Sequence, residues 1–494
     1  MTSLRGALMV CGTASDAGKS HVVAGLCRSL HRRGVRVAPF KAQNMSLNSY
    51  VTHDGHEIGR AQAAQAFAAR VEPDVAMNPI LLKPMSETDC QVIVMGRPMT
   101  AVSAAGYHDL KPQLLETVLA ALADLRTRFD VVVLEGAGSP AEINLLDRDI
   151  VNLPIAVATG CRAIVVGDIE RGGVFAALVG TVQVLPPDQR ACIGGFVINK
   201  FRGDPALLLD GAEQVEQLTG VPTLGVLPFV PDVAIDAEDA MAFAGPPPRA
   251  SVDRPAVLDV AAIRFPQVSN ATDLDPLAIE PGIAVRWIDS VAAFGHPDLV
   301  VLPGTRATVA DLAWLRACGL ADAIVGSSAV ILGICGGYQM LGRAIEDADG
   351  VEANRGTTAY GLHLLDVSTG FASAKTLRQR RGCGLGADLH GYEIHHGLTT
   401  RDDVAVPWLE LDGEREGACD ENRGVFATNL HGLFESDDFR RRFLLAVARR
   451  RHIRYRPATT SFAAAREGQL DRLADLLEAH LDMAAVDRLI QEAR

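Results

Sequence analysis

Gly12-Thr13-Ala14-Ser15-Asp16-Ala17-Gly18-Lys19-Ser20 is the stretch on which the reading of the chain turns. An apolar run, Ala7 to Cys11, leads in and has the character of a buried strand. A helical pattern, roughly Ser20 to Arg32, leads out. Strand, glycine-rich turn and helix, opening on Gly-Lys-Ser, is the setting of a phosphate-binding loop. Glycine lets successive N–H groups converge on an anion, and the helix N-terminus adds partial positive charge. Gly12, Thr13, Asp16, Gly18, Lys19 and Ser20 are therefore candidate nucleotide contacts. Lys19 can reach the outer phosphates and the Ser20 hydroxyl can ligate Mg²⁺. The spacing is one residue longer between Gly12 and Gly18 than in the common form of the loop.

Working outward, apolar strands alternate with helical segments. Val35 to Phe40 reads as a strand and runs into the polar stretch Lys41-Ala42-Gln43-Asn44-Met45-Ser46-Leu47-Asn48-Ser49. Polar residues at the exit of a parallel strand lie where open α/β sheets bind ligands. Lys41, Gln43 and Asn44 are thus candidates for substrate carboxylate or amide contacts, with turn chemistry as the plainer alternative. Asp130 to Leu134 is an apolar strand ending on Glu135, a carboxylate placed to hold Mg²⁺ with Ser20. The run Glu142 to Asp149 is dense in carboxylates, and Asp147 is its candidate for substrate contact; a solvated face is the alternative. Further strands read at Ala163 to Gly167, Ile193 to Asn199 and Pro222 to Leu227. Asn199, at a strand exit, is placed either to read an adenine edge or to cap a turn. Repeated strand–helix alternation predicts a doubly wound parallel sheet.

Bulk properties exclude several classes. The chain has 494 residues, enough for two or three domains, and 48% of them are hydrophobic, as in globular proteins. A net charge of −13 argues against a general nucleic-acid surface. Nine scattered cysteines suggest neither a zinc ribbon nor a disulfide framework. Cys11, Cys27, Cys161 and Cys192 sit among apolar or small residues and read as buried packing. No apolar run is long enough to span a membrane, and the chain enters a strand almost at once, leaving no room for a signal peptide. The expectation is a cytoplasmic enzyme with no nucleic-acid or membrane partner.

The alternation breaks at Gly245-Pro246-Pro247-Pro248-Arg249, a proline-stiffened linker. A new α/β unit begins near Val257, with strands at Val257 to Arg264, Ile283 to Ile288 and Leu299 to Leu302. Val330-Ile331-Leu332-Gly333-Ile334-Cys335-Gly336-Gly337 then reads as strand, sharp turn and helix in the pattern Gly-x-Cys-x-Gly, the thiol counterpart of a nucleophile elbow. The turn is expected to present Cys335 outward at a helix N-terminus, which favours the thiolate. The Gly336 N–H, with a donor near Gly304, can stabilise an oxyanion. His431, after the short strand Val425 to Thr428 and on an exposed turn, is the candidate proton carrier. His395 and His396 are adjacent on a strand and point to opposite faces, so a joint metal site is not expected. The segment from about Ser461 is helical in pattern and reads as packing, or as association with a second copy.

Pro303-Gly304, Gly333-Ile334-Cys335-Gly336-Gly337 and His431 resemble, in order, the signature of class I glutamine amidotransferase domains. The first half resembles the dethiobiotin-synthetase-like amidoligases, which share the longer loop spacing. Lys41–Ser46, Glu57–Gln62, Asn78–Pro84 and Glu135–Pro140, in this combination, resemble the cobyric acid synthase family. That resemblance implies α/β architecture with two doubly wound parallel-sheet domains. The divisions expected are a P-loop amidoligase over 1–240, a linker over 241–255, a class I amidotransferase over 256–450 and a helical tail over 451–494. It implies ATP and Mg²⁺, L-glutamine as nitrogen donor, and amidation of the b, d, e and g carboxylates of adenosylcobyrinic acid a,c-diamide through acyl phosphates. A sheltered path for ammonia between the two centres is expected. Many class I domains carry Glu two positions after the histidine; here that position is Leu433, with Glu435 further on. A Cys–His pair without its orienting acid would fit slow or substrate-gated glutaminase activity. The related a,c-diamide synthases act on other side chains and are disfavoured by the Lys41–Ser46 and Glu57–Gln62 stretches. A partitioning-type switch ATPase would need a second loop lysine where Ala14 stands.

Overall fold

Six apolar runs of the first half become β1 (Gly6–Gly12), β2 (Val37–Phe40), β3 (Val131–Glu135), β4 (Arg162–Asp168), β5 (Ile193–Phe201) and β6 (Thr223–Pro228) in a computed structural model, which describes residues 4–84, 89–99, 102–230, 257–402 and 404–493. They form one sheet in the order β6-β5-β4-β1-β3-β2, with every pairing parallel. A parallel sheet is covered on both faces, so its strands are apolar throughout rather than alternating; Val131 to Leu134 of β3 are fully buried. The strand order reverses beside β1. Open α/β sheets gather their ligand sites at that point, at the carboxyl ends of the strands. The loop after β1 and Glu135 at the end of β3 both lie there.

Helix α1 (Lys19–Arg32) packs one face of this sheet through Val22, Val23, Leu26 and Leu30. Beside α1, the end of the chain packs on the same core. Leu470, Leu473, Leu477, Leu481, Val486 and Ile490 join the same core as Leu8, Val10 and Leu26. Contact is close: a Cβ on Gly25 would stand 2.5 Å from Leu477 Cδ1, and one on Gly225 would stand 2.0 Å from the His480 carbonyl oxygen. Arg28, buried on α1, pairs at 2.8 Å with Glu467.

The second half builds β7 (Leu258–Ile263), β8 (Ile283–Ile288), β9 (Leu299–Leu302), β10 (Val330–Ile334), the long hairpin β11 (Val367–Gly384) and β12 (Ala387–Arg401), and β13 (Ala418–Asp420) and β14 (Val425–Thr428). Its central sheet runs β8-β7-β9-β10-β14-β13, parallel except for the antiparallel edge pair β13–β14. The hairpin belongs to a separate, mostly antiparallel sheet, in which the strand Ala344–Asp347 runs parallel to β11 and which the sequence alone does not predict. Among the described residues, no helix is long and apolar enough to cross a membrane.

The two compact units are not consecutive blocks of sequence. Of the described residues, the first takes 4–46, 57–230 and 466–493; the second takes 47–56 and 257–465. The helical tail expected over 451–494 is therefore divided: its last part is a core element of the first unit, because its leucines cover apolar surface that α1 leaves open. The expected linker, 241–255, lies outside the described residues. Leu477→Ala should lower the stability of the first unit by about 2–5 kcal/mol, the range for a buried leucine truncation. Urea unfolding followed by a probe in that unit measures it.

Candidate active site

In the first unit, the left-handed backbone of Asp16 (φ 58°) and Gly18 (φ 99°) turns the chain from β1 into α1. A Cβ on Gly18 would stand 2.0 Å from Asn199 Nδ2, so only glycine fits there. Asn199 Nδ2 donates to the Ala17 carbonyl at 2.9 Å, which makes Asn199 a brace of the loop and engages the amide that an adenine edge would need. Asp16 is exposed on the rim. Lys19 Nζ donates to Ala14 O at 2.9 Å and Gly138 O at 3.0 Å, which holds the ammonium across the loop.

Glu135 is the centre of this site. Ser20 Oγ donates to its Oε1 at 2.8 Å, Lys41 Nζ lies 3.0 Å from the same oxygen, and Gln65 Nε2 donates to Oε2. Burial pushes the Glu135 carboxyl up, but the Lys41 ammonium and the bonds from Gln65 and Ser20 outweigh it and hold it below the usual carboxylate range. Of the candidate substrate residues, Lys41 and Asn44 are buried and Gln43 is half-buried. Lys41 serves Glu135, because a buried carboxylate needs a nearby cation. Asn44 Nδ2 donates to Gln62 Oε1 at 2.9 Å, and Gln43 Oε1 accepts from Tyr107. Asp147 lies exposed on a short 3₁₀ turn. Its neighbour Asp149 caps the next turn through Val151 N, Asn152 N and Asn152 Nδ2.

In the second unit, Cys335 sits at φ 53° and ψ −109° between β10 and the short helix Gly336–Leu341. That strained turn is possible because its neighbours are small: a Cβ on Gly337 would stand 1.9 Å from Leu302 O, and one on Gly336 would stand 2.6 Å from Thr305 Cγ2. Gly304 lies on the adjoining turn, where a Cβ would meet His431 Cε1 at 3.0 Å. Cys335 is buried, 6% exposed, rather than presented outward; its sulfur lies 3.9 Å from the Ile394 carbonyl and is hydrogen-bonded to His431. The His431 turn is likewise buried, not exposed, because β12 covers it: Tyr392 and His431 exchange main-chain hydrogen bonds at 2.9 and 3.0 Å, and their rings stack at 5.5 Å.

The acid absent from the sequence reading is Asp273. It stands on the 3₁₀ turn Ala271–Leu274, beyond the carboxyl end of β7. Its Oδ2 lies 2.7 Å from His431 Nδ1, and its Oδ1 accepts from Gly432 N at 2.8 Å. The orienting acid, which the sequence leaves open, comes from a different element and not from the position after His431. The available signal was an aspartate in the connection that follows a strand of the parallel sheet at its carboxyl end. Burial pushes His431 down, but Asp273 and Cys335 on either side outweigh it and raise its pKa to about 10. An imidazolium held at neutral pH between a carboxylate and a sulfur can stabilise a thiolate and release a proton to a leaving nitrogen.

His395 Nδ1 donates to Gly397 O at 2.7 Å and His396 Nδ1 to Ala372 O at 3.0 Å, so the two rings serve different strands. Cys11, Cys27 and Cys161 are buried, and burial pushes the Cys11 thiol up to about 12; Cys192 is only half-buried.

Comparison with known proteins follows the two halves of the sequence. Residues 8–243 match the CobQ/CobB/MinD/ParA nucleotide binding domain, and residues 259–439 match the CobB/CobQ-like glutamine amidotransferase domain. With the geometry above, these define a glutamine-dependent amidoligase. The cobyric acid synthase of Nocardia farcinica is 52% identical over 99% of this chain and 97% of its own length. That of Rhodococcus jostii is 52% identical over 98% and 96%, and that of Streptomyces coelicolor 52% over 99% and 97%. The chain belongs to the cobyric acid synthase family.

Asp273→Asn should cut glutamine-dependent amidation by about 10²–10⁴-fold, as loss of an orienting acid does, while amidation driven by added ammonia persists. With the charge gone, burial dominates, His431 loses its proton at lower pH, and the alkaline limb of the glutaminase rate profile moves down. Paired rate–pH curves check both.

Proposed function

We propose that this chain amidates the b, d, e and g carboxylates of adenosylcobyrinic acid a,c-diamide, consuming ATP and L-glutamine. The observation that carries the reading is His431 held between Cys335 and Asp273, in a chain whose other unit gathers Lys19, Ser20 and Glu135 around a phosphate loop. A carboxylate does not react usefully with ammonia until one oxygen becomes a leaving group. Transfer of the terminal phosphoryl of ATP supplies that, and the main-chain N–H groups of Gly12 to Gly18 with Lys19 stabilise the moving charge. The donor set fits Mg²⁺: a Ser20 hydroxyl and a Glu135 carboxylate kept ionised are hard oxygen ligands. When bound there, Mg²⁺ neutralises charge on the phosphate oxygens.

Glutamine is cleaved in the second unit. The Cys335 sulfur attacks the side-chain carboxamide, the oxyanion sits against the N–H of Gly336 and the turn at Gly304, and His431 gives its proton to the departing ammonia. Water then hydrolyses the thioester, with His431 taking the water's proton as general base. Asp273 keeps the imidazole oriented throughout. Ammonia displaces phosphate from the activated carboxyl and leaves an amide. Of the four candidate corrinoid contacts, Asp147 is the exposed one and is proposed to meet the substrate, whereas Lys41, Gln43 and Asn44, engaged by Glu135, Tyr107 and Gln62, are proposed to shape the site behind it. The centre works only if ammonia reaches the acyl phosphate unprotonated, so bulk water must be excluded on the way.

Mass spectrometry of the corrinoid after incubation with ATP and glutamine should show successive OH-to-NH₂ exchanges ending at four. Cys335→Ala should abolish the reaction with glutamine and keep it with ammonia, whereas Lys19→Ala should stop both. ATP consumption without any new C–N bond would overturn the reading.

A further inference from the structure

The stretch Leu47–His56 continues directly from Lys41–Ser46 in the nucleotide-binding half of the sequence, yet it belongs to the second unit. There it touches both sides of His431's surroundings. Ser49 N donates to Asn270 Oδ1 at 2.9 Å, and Asn48 Oδ1 accepts from Ala271 N at 3.3 Å. Asn270 is left-handed at φ 52° and caps the turn that carries Asp273. On the other side, Tyr392 Oη donates to Ser49 O at 3.0 Å, and the Tyr50 ring packs edge-on against Tyr392 at 5.2 Å. Tyr392 is the ring stacked on His431. Asn48, Ser49, Asn270 and Tyr392 are all buried, so water cannot replace these bonds.

We propose that Asn48, Ser49 and Tyr50 are positioning residues of the glutaminase centre, holding the Asp273 turn and the Tyr392 ring in place on either side of His431. This rests on the assignment of Cys335, His431 and Asp273 to glutamine cleavage. Each side has a bond that only the strap supplies. The Asp273 turn is a short 3₁₀ segment preceded by the left-handed Asn270, whose side chain bonds to the strap rather than to its own turn, and the Tyr392 hydroxyl bonds to the strap's main chain. Without the strap, His431 keeps its neighbours but not their alignment, and misplacement on the order of 1 Å costs about 10²-fold in rate. The half of the chain that resembles an amidotransferase is thereby incomplete without a segment from the other half of the sequence.

The test uses the full-length protein and two single variants. Tyr392→Phe removes the hydroxyl and leaves the ring on His431; Asn48→Ala removes the acceptor for Ala271 N–H. Each should lower kcat with glutamine by about tenfold or more, with KM for glutamine and the rate with ammonia unchanged. A merely structural role would lower both nitrogen sources together. Equal loss with glutamine and ammonia, a change confined to KM, or no change at all overturns the proposal. Cys335→Ala, assayed beside them, separates the two failures. If it retains glutamine-dependent turnover, the centre itself is misassigned; if it loses that turnover while the strap variants keep it, only the strap is wrong.

Discussion

A carboxylate removed from water stays charged only when donors and cations surround it, and both centres of this chain are organised by that constraint. Glu135 accepts from Ser20 and Gln65 and faces Lys41; Asp273 accepts from Gly432 N and faces His431. Each is almost fully buried. Removing one partner from such a pair costs about 3–5 kcal/mol, because the remaining charge has no substitute in the interior. The surrounding side chains are therefore locked as well as positioned. Lys41, which could have met a substrate, is drawn to Glu135 for this reason.

The same economy of space governs the backbone. Gly337 lies against Leu302 O and Gly391 against His431 O so closely that a Cβ at either place would stand 1.9 or 2.1 Å away. The elbow at Cys335 and the covering strand at Tyr392 are set by these approaches, and His431 ends up beside Cys335 because β10 and β14 are neighbours in a parallel sheet. Strand order brings the two residues together, and close main-chain packing sets their geometry.

The chain does not fill its two units in sequence order. The leucines of the last helical stretch complete a core begun by β1 and α1, and a strap between β2 and β3 in sequence completes the surroundings of His431. The pattern marks the tail as helical but is silent on which surface it covers, since any apolar face of matching shape satisfies it. The strap is polar and short, so it carries no periodic signal. The antiparallel hairpin β11–β12 escaped notice because its exposed residues interrupt the apolar pattern.

Read by itself, the amino-acid sequence determined the two parallel sheets, the phosphate loop, the carboxylate Glu135 at a strand end, and the Cys335 and His431 of the elbow and its partner. These are local signals: apolar runs covered on both faces, a tight turn with its glycines, a nucleophile between small residues. Only the tertiary structure decided that Asp273, 158 positions from His431, is its partner, that Lys41 serves Glu135, and that Asn199 braces the loop. Those pairings depend on which strand ends and turns meet in space, and the spacing of residues along a chain holds no record of that.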